Sequence, residues 1–130
     1  MQDEPTPIEL IKTIADVLRD EIVPQTSGHS AFKLRVSINA LDLVRRQLEL
    51  EQGSDAAELA RLAQLLAAPG SLADLNRELA ERIAKGGAGL DTPGLADHLW
   101  QTTLEKLAID QPNYASYRYE LDNRFQKADP

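Results

Sequence analysis

Apolar positions recur along this chain at three- and four-residue intervals almost throughout, and no stretch shows the two-residue alternation of a half-buried strand. The pattern predicts an all-α protein. A first helix opens at Thr6, where Thr6, Pro7 and Glu9 supply an N-cap, a first-turn proline and the far end of a capping box. Its inward face reads Ile8, Ile11, Ile14, Ala15, Leu18 and Ile22, and Pro24 ends it ahead of the loop PQTSGHS. The stretch AFKLRVSINALDLVRRQLEL, residues 31–50, predicts a second helix over about 31–51 that stops near Gly53. Ser54 then offers the cap of a third helix with Leu59, Leu62, Leu65 and Leu66 on one side, broken by Pro69 and Gly70. Ser71 and Asp74 open a fourth, with Leu72, Leu75, Leu79 and Ile83 facing inward. The glycine-rich KGGAGLDTPG follows, and Thr92–Pro93 caps a fifth helix carrying Leu95, Leu99, Trp100, Leu104, Leu107 and Ala108 up to Pro112. Beyond it, residues 115–130 are expected to form a short helix or a docked tail. Tyr114, Tyr117, Tyr119 and Phe125 gather in or beside that stretch.

Short connections between helices imply an antiparallel bundle of five to six helices. The second helix is expected at its centre, because a helix apolar over about two-thirds of its circumference must be covered on several sides. A chain of 130 residues suits a single domain spanning 1–130. No repeat of fixed period and no low-complexity tract interrupts it.

Composition removes several function classes. Without cysteine there is no disulfide framework, no thiolate metal site and no thiol nucleophile. The net charge of −7 and the pI near 4.8, with 14 basic residues scattered among 21 acidic ones, argue against nucleic acid and against an anionic membrane as partners. The acidic, proline-bearing N-terminus MQDEPTPIEL does not resemble a secretory leader, so a cytoplasmic location is expected.

Candidate chemistry is sparse. Arg35, Asn39, Asp42 and Arg46 form one narrow row on the second helix: at about 100° per residue, Arg35, Asp42 and Arg46 lie within about 20° of one another, and Asn39 about 40° from Arg35. Two guanidiniums, an amide and an orienting carboxylate on one line could grip a phosphate or a carboxylate. The same row is equally readable as a solvated stripe held by an Asp42–Arg46 pair. His29 and His98 have no partner at metal-ligand spacing, and the adjacent Asp97 and His98 point about 100° apart on a helix, so no metal is expected. GGAG lacks both the lysine and the preceding strand of a phosphate loop, and no serine stands in a nucleophile elbow. Trp100 reads as core, beside Leu99 and Leu104. Nothing in the pattern calls for a cofactor or supplies catalytic machinery.

Three segments, RVSINALDLVRRQLEL, LADLNRELAERIAKG and HLWQTTLEKLAIDQPNY, resemble in order and spacing a bacterial family of small helical proteins, domain of unknown function 6285. The resemblance runs from about Thr6 to Tyr114 and is most specific at Arg35, Val36 and Asn39, with Val44–Arg46 after them. Leu75–Asn76 with Leu79, and the Pro112–Tyr114 ending, match too. Gln111 stands where the family pattern has Asn, and Gln47 where it often has Glu; the tail from Ala115 lies outside the likeness. The resemblance implies a small helical domain found beside aminoglycoside-phosphotransferase-like kinases and acyl-CoA dehydrogenases, and brings no catalytic residue. Two functions follow as expectations. One is a non-catalytic accessory protein that docks on a phosphotransferase-like or dehydrogenase-like partner or forms a homo-oligomer. The other is a binder of an anionic metabolite, such as an acyl-CoA or a phosphorylated compound, through Arg35, Asn39, Asp42 and Arg46.

Overall fold

The computed structural model describes residues 3–127, with side chains through Arg124. The end of the tail, 128–130, and the side chain of Phe125 lie outside the described residues. All regular structure among them is helical: α1 (Pro7–Val17), α2 (Gly28–Leu66), α3 (Leu72–Ala84), α4 (Leu95–Asp110) and α5 (Ala115–Lys127). A π-helical turn, Leu18–Ile22, and a 3₁₀ turn, Val23–Gln25, extend α1.

The local signals act as their chemistry requires. Thr6 accepts from the Glu9 amide while the Glu9 carboxylate accepts from the Thr6 amide, closing the capping box on orphan N–H groups. The Thr6 amide and, less strongly, its hydroxyl donate to the Glu9 carboxylate and hold it below its ordinary range. Ser71 caps α3 through the Asp74 amide. The glycines after α3 form a Schellman turn: Gly86, at φ 73°, donates to the Ile83 carbonyl, and Gly87 donates to that of Arg82. The N-cap of α4 is Gly94, at φ 83°, rather than the expected Thr92, whose hydroxyl instead accepts from the Gly89 amide inside the loop. A positive φ is open to glycine at little cost, so the helix starts two residues later than Thr92–Pro93 suggested.

The larger departure concerns α2. The separate second and third helices anticipated around Gly53–Ser54 are one helix of 39 residues. Ending it at Gly53 would strand up to four carbonyls and four amides, whereas keeping glycine in a helix interior costs only about 1 kcal/mol relative to alanine. With Leu, Glu, Gln, Ala and Arg dense on both sides, continuation wins.

Two compact units divide the chain, Met1–Glu51 and Gln52–Pro130, with the division falling inside α2. In the first, the buried apolar residues are Ala15, Ala31 and Ile38. Ile14 and Ile22, expected to face inward, are exposed. So are Phe32, Val36, Leu43, Val44, Leu48 and Leu50 on α2. The second unit holds the main core: Leu62, Leu66, Leu75, Leu79 and Leu95, with Leu59, Ala63, Leu65 and Leu72 packed against them. Gly70 belongs to this packing, because a Cβ there would lie 2.9 Å from the Leu75 side chain.

Candidate functional site

The predicted row on α2 divides between different environments. Its buried edge borders Ala31 and Ile38, and its other edge borders the exposed Phe32, Val36 and Leu43. Asp42 turns toward the end of α1, where Arg19 Nη2 donates to Asp42 Oδ2 at 2.6 Å; Arg19 Nη1 donates to Asp16 Oδ1 at 3.0 Å. Arg45 Nε lies 4.0 Å from the other Asp42 oxygen and bonds Glu49 at 2.9 Å. Arg19 and Arg45 are thus cationic neighbours of the Asp42 carboxylate. Arg35 and Asn39 line a small cleft of about 280 Å³ together with Arg19, Val23 and Ile38. Neither Asp42 nor Arg46 lines it. Lys12 and Arg19 hold the exposed Asp16 carboxyl below its ordinary range, the Lys12 hydrogen bond most strongly.

The more elaborate arrangement lies in the second unit, around residues the row did not include. Arg61 grips Glu105 with both terminal nitrogens: Nη1 donates to Oε1 at 2.9 Å and Nη2 to Oε2 at 2.6 Å. Arg61 Nη2 also reaches Thr102 Oγ1 at 3.4 Å. Gln101 Nε2 donates to Glu105 Oε1 at 3.3 Å, and its own carbonyl oxygen accepts from Arg124 Nη1 at 3.1 Å. Arg124 Nε donates to Glu120 Oε1 at 3.0 Å, and Trp100 Nε1 approaches the same oxygen at 3.4 Å. One chain of polar contacts therefore links α2, α4 and α5 within this unit.

His98 stands beside that chain. It is 4% exposed, the buried polar residue of the described core, and its Nδ1 is sealed without a hydrogen-bond partner, as is Arg61 Nε. Burial pushes the imidazole below the ordinary histidine range, the Arg61 charge adds to the effect, and Glu58 and Glu105 oppose it. A base depressed in the folded state leaves the proton to the unfolded chain, so stability present above the ordinary value of 6.5 is lost as pH falls below it. Urea midpoints are expected to decline between pH 7.5 and 5.5, by at most about 1.4 kcal/mol per pH unit from this group. His98→Leu flattens that part of the slope. A wild-type midpoint unchanged over the same interval would contradict the burial argument.

Arg61, His98, Gln101 and Arg124, with Leu65 and Trp100, are among the residues lining a cleft of about 630 Å³. Trp100, expected in the core, is 52% exposed at this cleft. The sequence did hold a signal for the site. His98, Gln101, Thr102 and Glu105 follow i, i+3, i+4, i+7, a polar stripe on one face of α4, at the same spacing that marks an apolar core face.

Among the described residues no group of three or more His, Cys, Asp or Glu could hold a metal ion. No described helix is long and apolar enough to cross a membrane. No curated protein and no solved structure matches the chain. The sequence signature of one family does match, over residues 24–114, from the turn before α2 through the residue that precedes α5. This span holds Arg35, Val36 and Asn39 as well as Arg61 and His98. The chain belongs to the family Domain of unknown function (DUF6285).

Proposed function

We propose that the protein is a non-catalytic interaction module that assembles through α2 of its first unit, with a second copy of the chain as the occupant that this surface fits best. The observation that supports the reading is the exposed apolar seam. Phe32, Val36, Asn39, Leu43, Arg46 and Leu50 follow the alternating four- and three-residue spacing of a coiled-coil interface, and the four apolar members are exposed, Phe32 at 61%. Such a surface on one helix is unusual unless something covers it.

The seam favours an antiparallel pair. In that alignment Phe32 meets Leu50 of the other copy, Val36 lies against the aliphatic stem of Arg46, and Asn39 faces Leu43. Arg35 and Glu49, of opposite sign, share the flanking edge. A parallel pair would instead stack Arg46 on Arg46, and like charges at a seam are costly. Covering α2 in this way gives it the central place in an antiparallel helical bundle that its broad apolar circumference calls for. The cytoplasm is the compartment the reading assumes. The phosphotransferase-like and acyl-CoA dehydrogenase-like partners implied by the family resemblance are the competing occupants of the same seam.

Because the natural chain has no cysteine, cross-linking gives a clean test. Phe32→Cys and Leu50→Cys chains are oxidised separately and as a mixture. The expected result is a disulfide-linked dimer from the mixture and little from either alone, together with a dimer mass in light scattering that Leu43→Asp halves. A wild-type chain that stays monomeric at high micromolar concentration and gives no mixed cross-link would overturn self-assembly. Cross-linking of Phe32→Cys alone would reverse the orientation.

A second reading is supported by the small cleft at Arg19, Arg35 and Asn39: with Arg19 engaged by Asp16 and Asp42, the Arg35 guanidinium and the Asn39 amide are the groups that suit an anionic metabolite such as an acyl-CoA or a phosphorylated compound. It requires a thermal shift with CoA, acyl-CoAs or sugar phosphates that Arg35→Ala abolishes while leaving the unliganded melting temperature nearly unchanged.

A further inference from the structure

The second unit carries a cleft whose lining includes none of the seam residues. At about 630 Å³ it lies within the range of small-molecule sites. Leu65, Pro93 and Trp100 give it apolar walls, and His98, Asp97 and Arg124 bring polar groups to it.

What those polar groups still lack defines the ligand. The terminal nitrogens of Arg61 are committed to Glu105, so its charge is already matched. Arg124 spends Nε on Glu120 and Nη1 on Gln101, and its Nη2 has no recorded partner among the described residues. His98 has a sealed, partnerless Nδ1. With no acceptor for a proton at Nδ1, the ring proton belongs on Nε2, leaving it as a hydrogen-bond donor without a partner among the described residues. Arg124 and His98 thus retain unspent donors. Asp97 retains an unspent acceptor, since no hydrogen bond or ion pair is recorded for it among the described residues. A dianion such as phosphate would answer Arg124 and His98 but be repelled by Asp97, and a simple cation would leave the donors unanswered.

We infer that this cleft binds a zwitterionic α-amino acid with an apolar side chain, its carboxylate held by Arg124 and His98, its ammonium by Asp97, and its side chain against Trp100 and Leu65. The pieces are mutually consistent. Opposite charges on one small ligand answer the opposite unspent groups, and the remaining wall is apolar and partly aromatic. The polar chain from Arg61 to Glu120 fixes Gln101 and Arg124 before any ligand arrives, which lowers the ordering cost of binding.

Trp100 is the single tryptophan of the chain and lines the cleft, so its emission reports occupancy directly. The probes are L-phenylalanine, 3-phenylpropionate, which lacks the ammonium, and phenethylamine, which lacks the carboxylate. L-Phenylalanine is expected to change Trp100 emission saturably and to bind at least tenfold more tightly than either analogue. Asp97→Asn is expected to erase the preference over 3-phenylpropionate, and Arg124→Gln the preference over phenethylamine. Both substitutions are at exposed positions, and circular dichroism checks that the fold survives. No saturable response to any probe, or an analogue binding as well as the amino acid in the unaltered chain, overturns the inference. So does a preference that persists unchanged in both variants.

Discussion

Leu62→Ala is expected to lower the unfolding free energy by about 3 kcal/mol, within the range measured for fully buried leucines. Leu62 is 0% exposed and packs in the cluster with Leu66, Leu75, Leu79 and Leu95, so truncation removes buried methyl groups and leaves a void among side chains held from α2, α3 and α4. In a domain of this size the melting temperature would fall by roughly 10 °C or more. Leu90→Ala is the matched control. Leu90 is 86% exposed in the glycine loop, and its loss should change stability by no more than about 0.5 kcal/mol. Urea denaturation of the two variants beside the unaltered chain measures both values. Equal effects would mean that the cluster does not carry the stability of the second unit.

The contrast between these leucines also shows what the sequence could and could not convey. Leu62 stands at helical spacing with Leu59, Leu65 and Leu66, and periodicity alone identified that face as core. The capping residues Thr6, Pro7, Glu9 and Ser71 and the stop before Pro112 were legible for the same reason: each is a local device whose chemistry is complete within four or five residues. Gly53 and Ser54 were misleading because break signals compete with the helix around them. A penalty near 1 kcal/mol cannot offset the hydrogen bonds lost on breaking a helix that is otherwise well supported. Trp100 failed differently. Its size and apolar neighbours suggested burial, yet the buried face of α4 is set by Leu95, His98 and Leu104, and Trp100 falls outside it.

The candidate site was only half legible, again for a physical reason. Arg35, Asn39, Asp42 and Arg46 are neighbours on one helix, so their alignment could be computed from the rise and turn of α2 alone. Arg61 and Glu105 are separated by 44 residues, and no local rule joins them. Half of their relationship was visible in the polar stripe of α4, whose spacing announces a face that must meet polar company. The identity of that company is tertiary information. Asp42 makes the same point on a smaller scale: no local rule points to its ion pair with Arg19, 23 residues earlier.

The pairing of Arg61 with Glu105 leads to the second large effect. Both side chains are only about one-quarter exposed or less, and the bidentate geometry leaves each ion dependent on the other. Arg61→Ala should cost about 2–3 kcal/mol, chiefly because Glu105 is left as a half-buried charge supported by Gln101 alone. Glu105→Ala should cost a similar amount for the converse reason, with the Arg61 guanidinium stranded. Replacing both ions by apolar residues of matching volume, Arg61→Met with Glu105→Leu, is expected to recover most of the loss, because removing a partly buried ion pair as a unit also removes its desolvation cost. A double-mutant cycle from urea midpoints, built on Arg61→Met, Glu105→Leu and their combination, is therefore expected to show the double far less destabilised than the sum of the singles, whereas simple additivity would mean the two side chains do not depend on each other. The double replacement carries a further consequence. Gln101 donates to Glu105 and accepts from Arg124, so stability restored without Glu105 need not restore the position of Arg124. If the cleft depends on that chain, the apolar double variant will fold yet lose the Trp100 response to L-phenylalanine, separating what the ion pair does for the fold from what it does for the site.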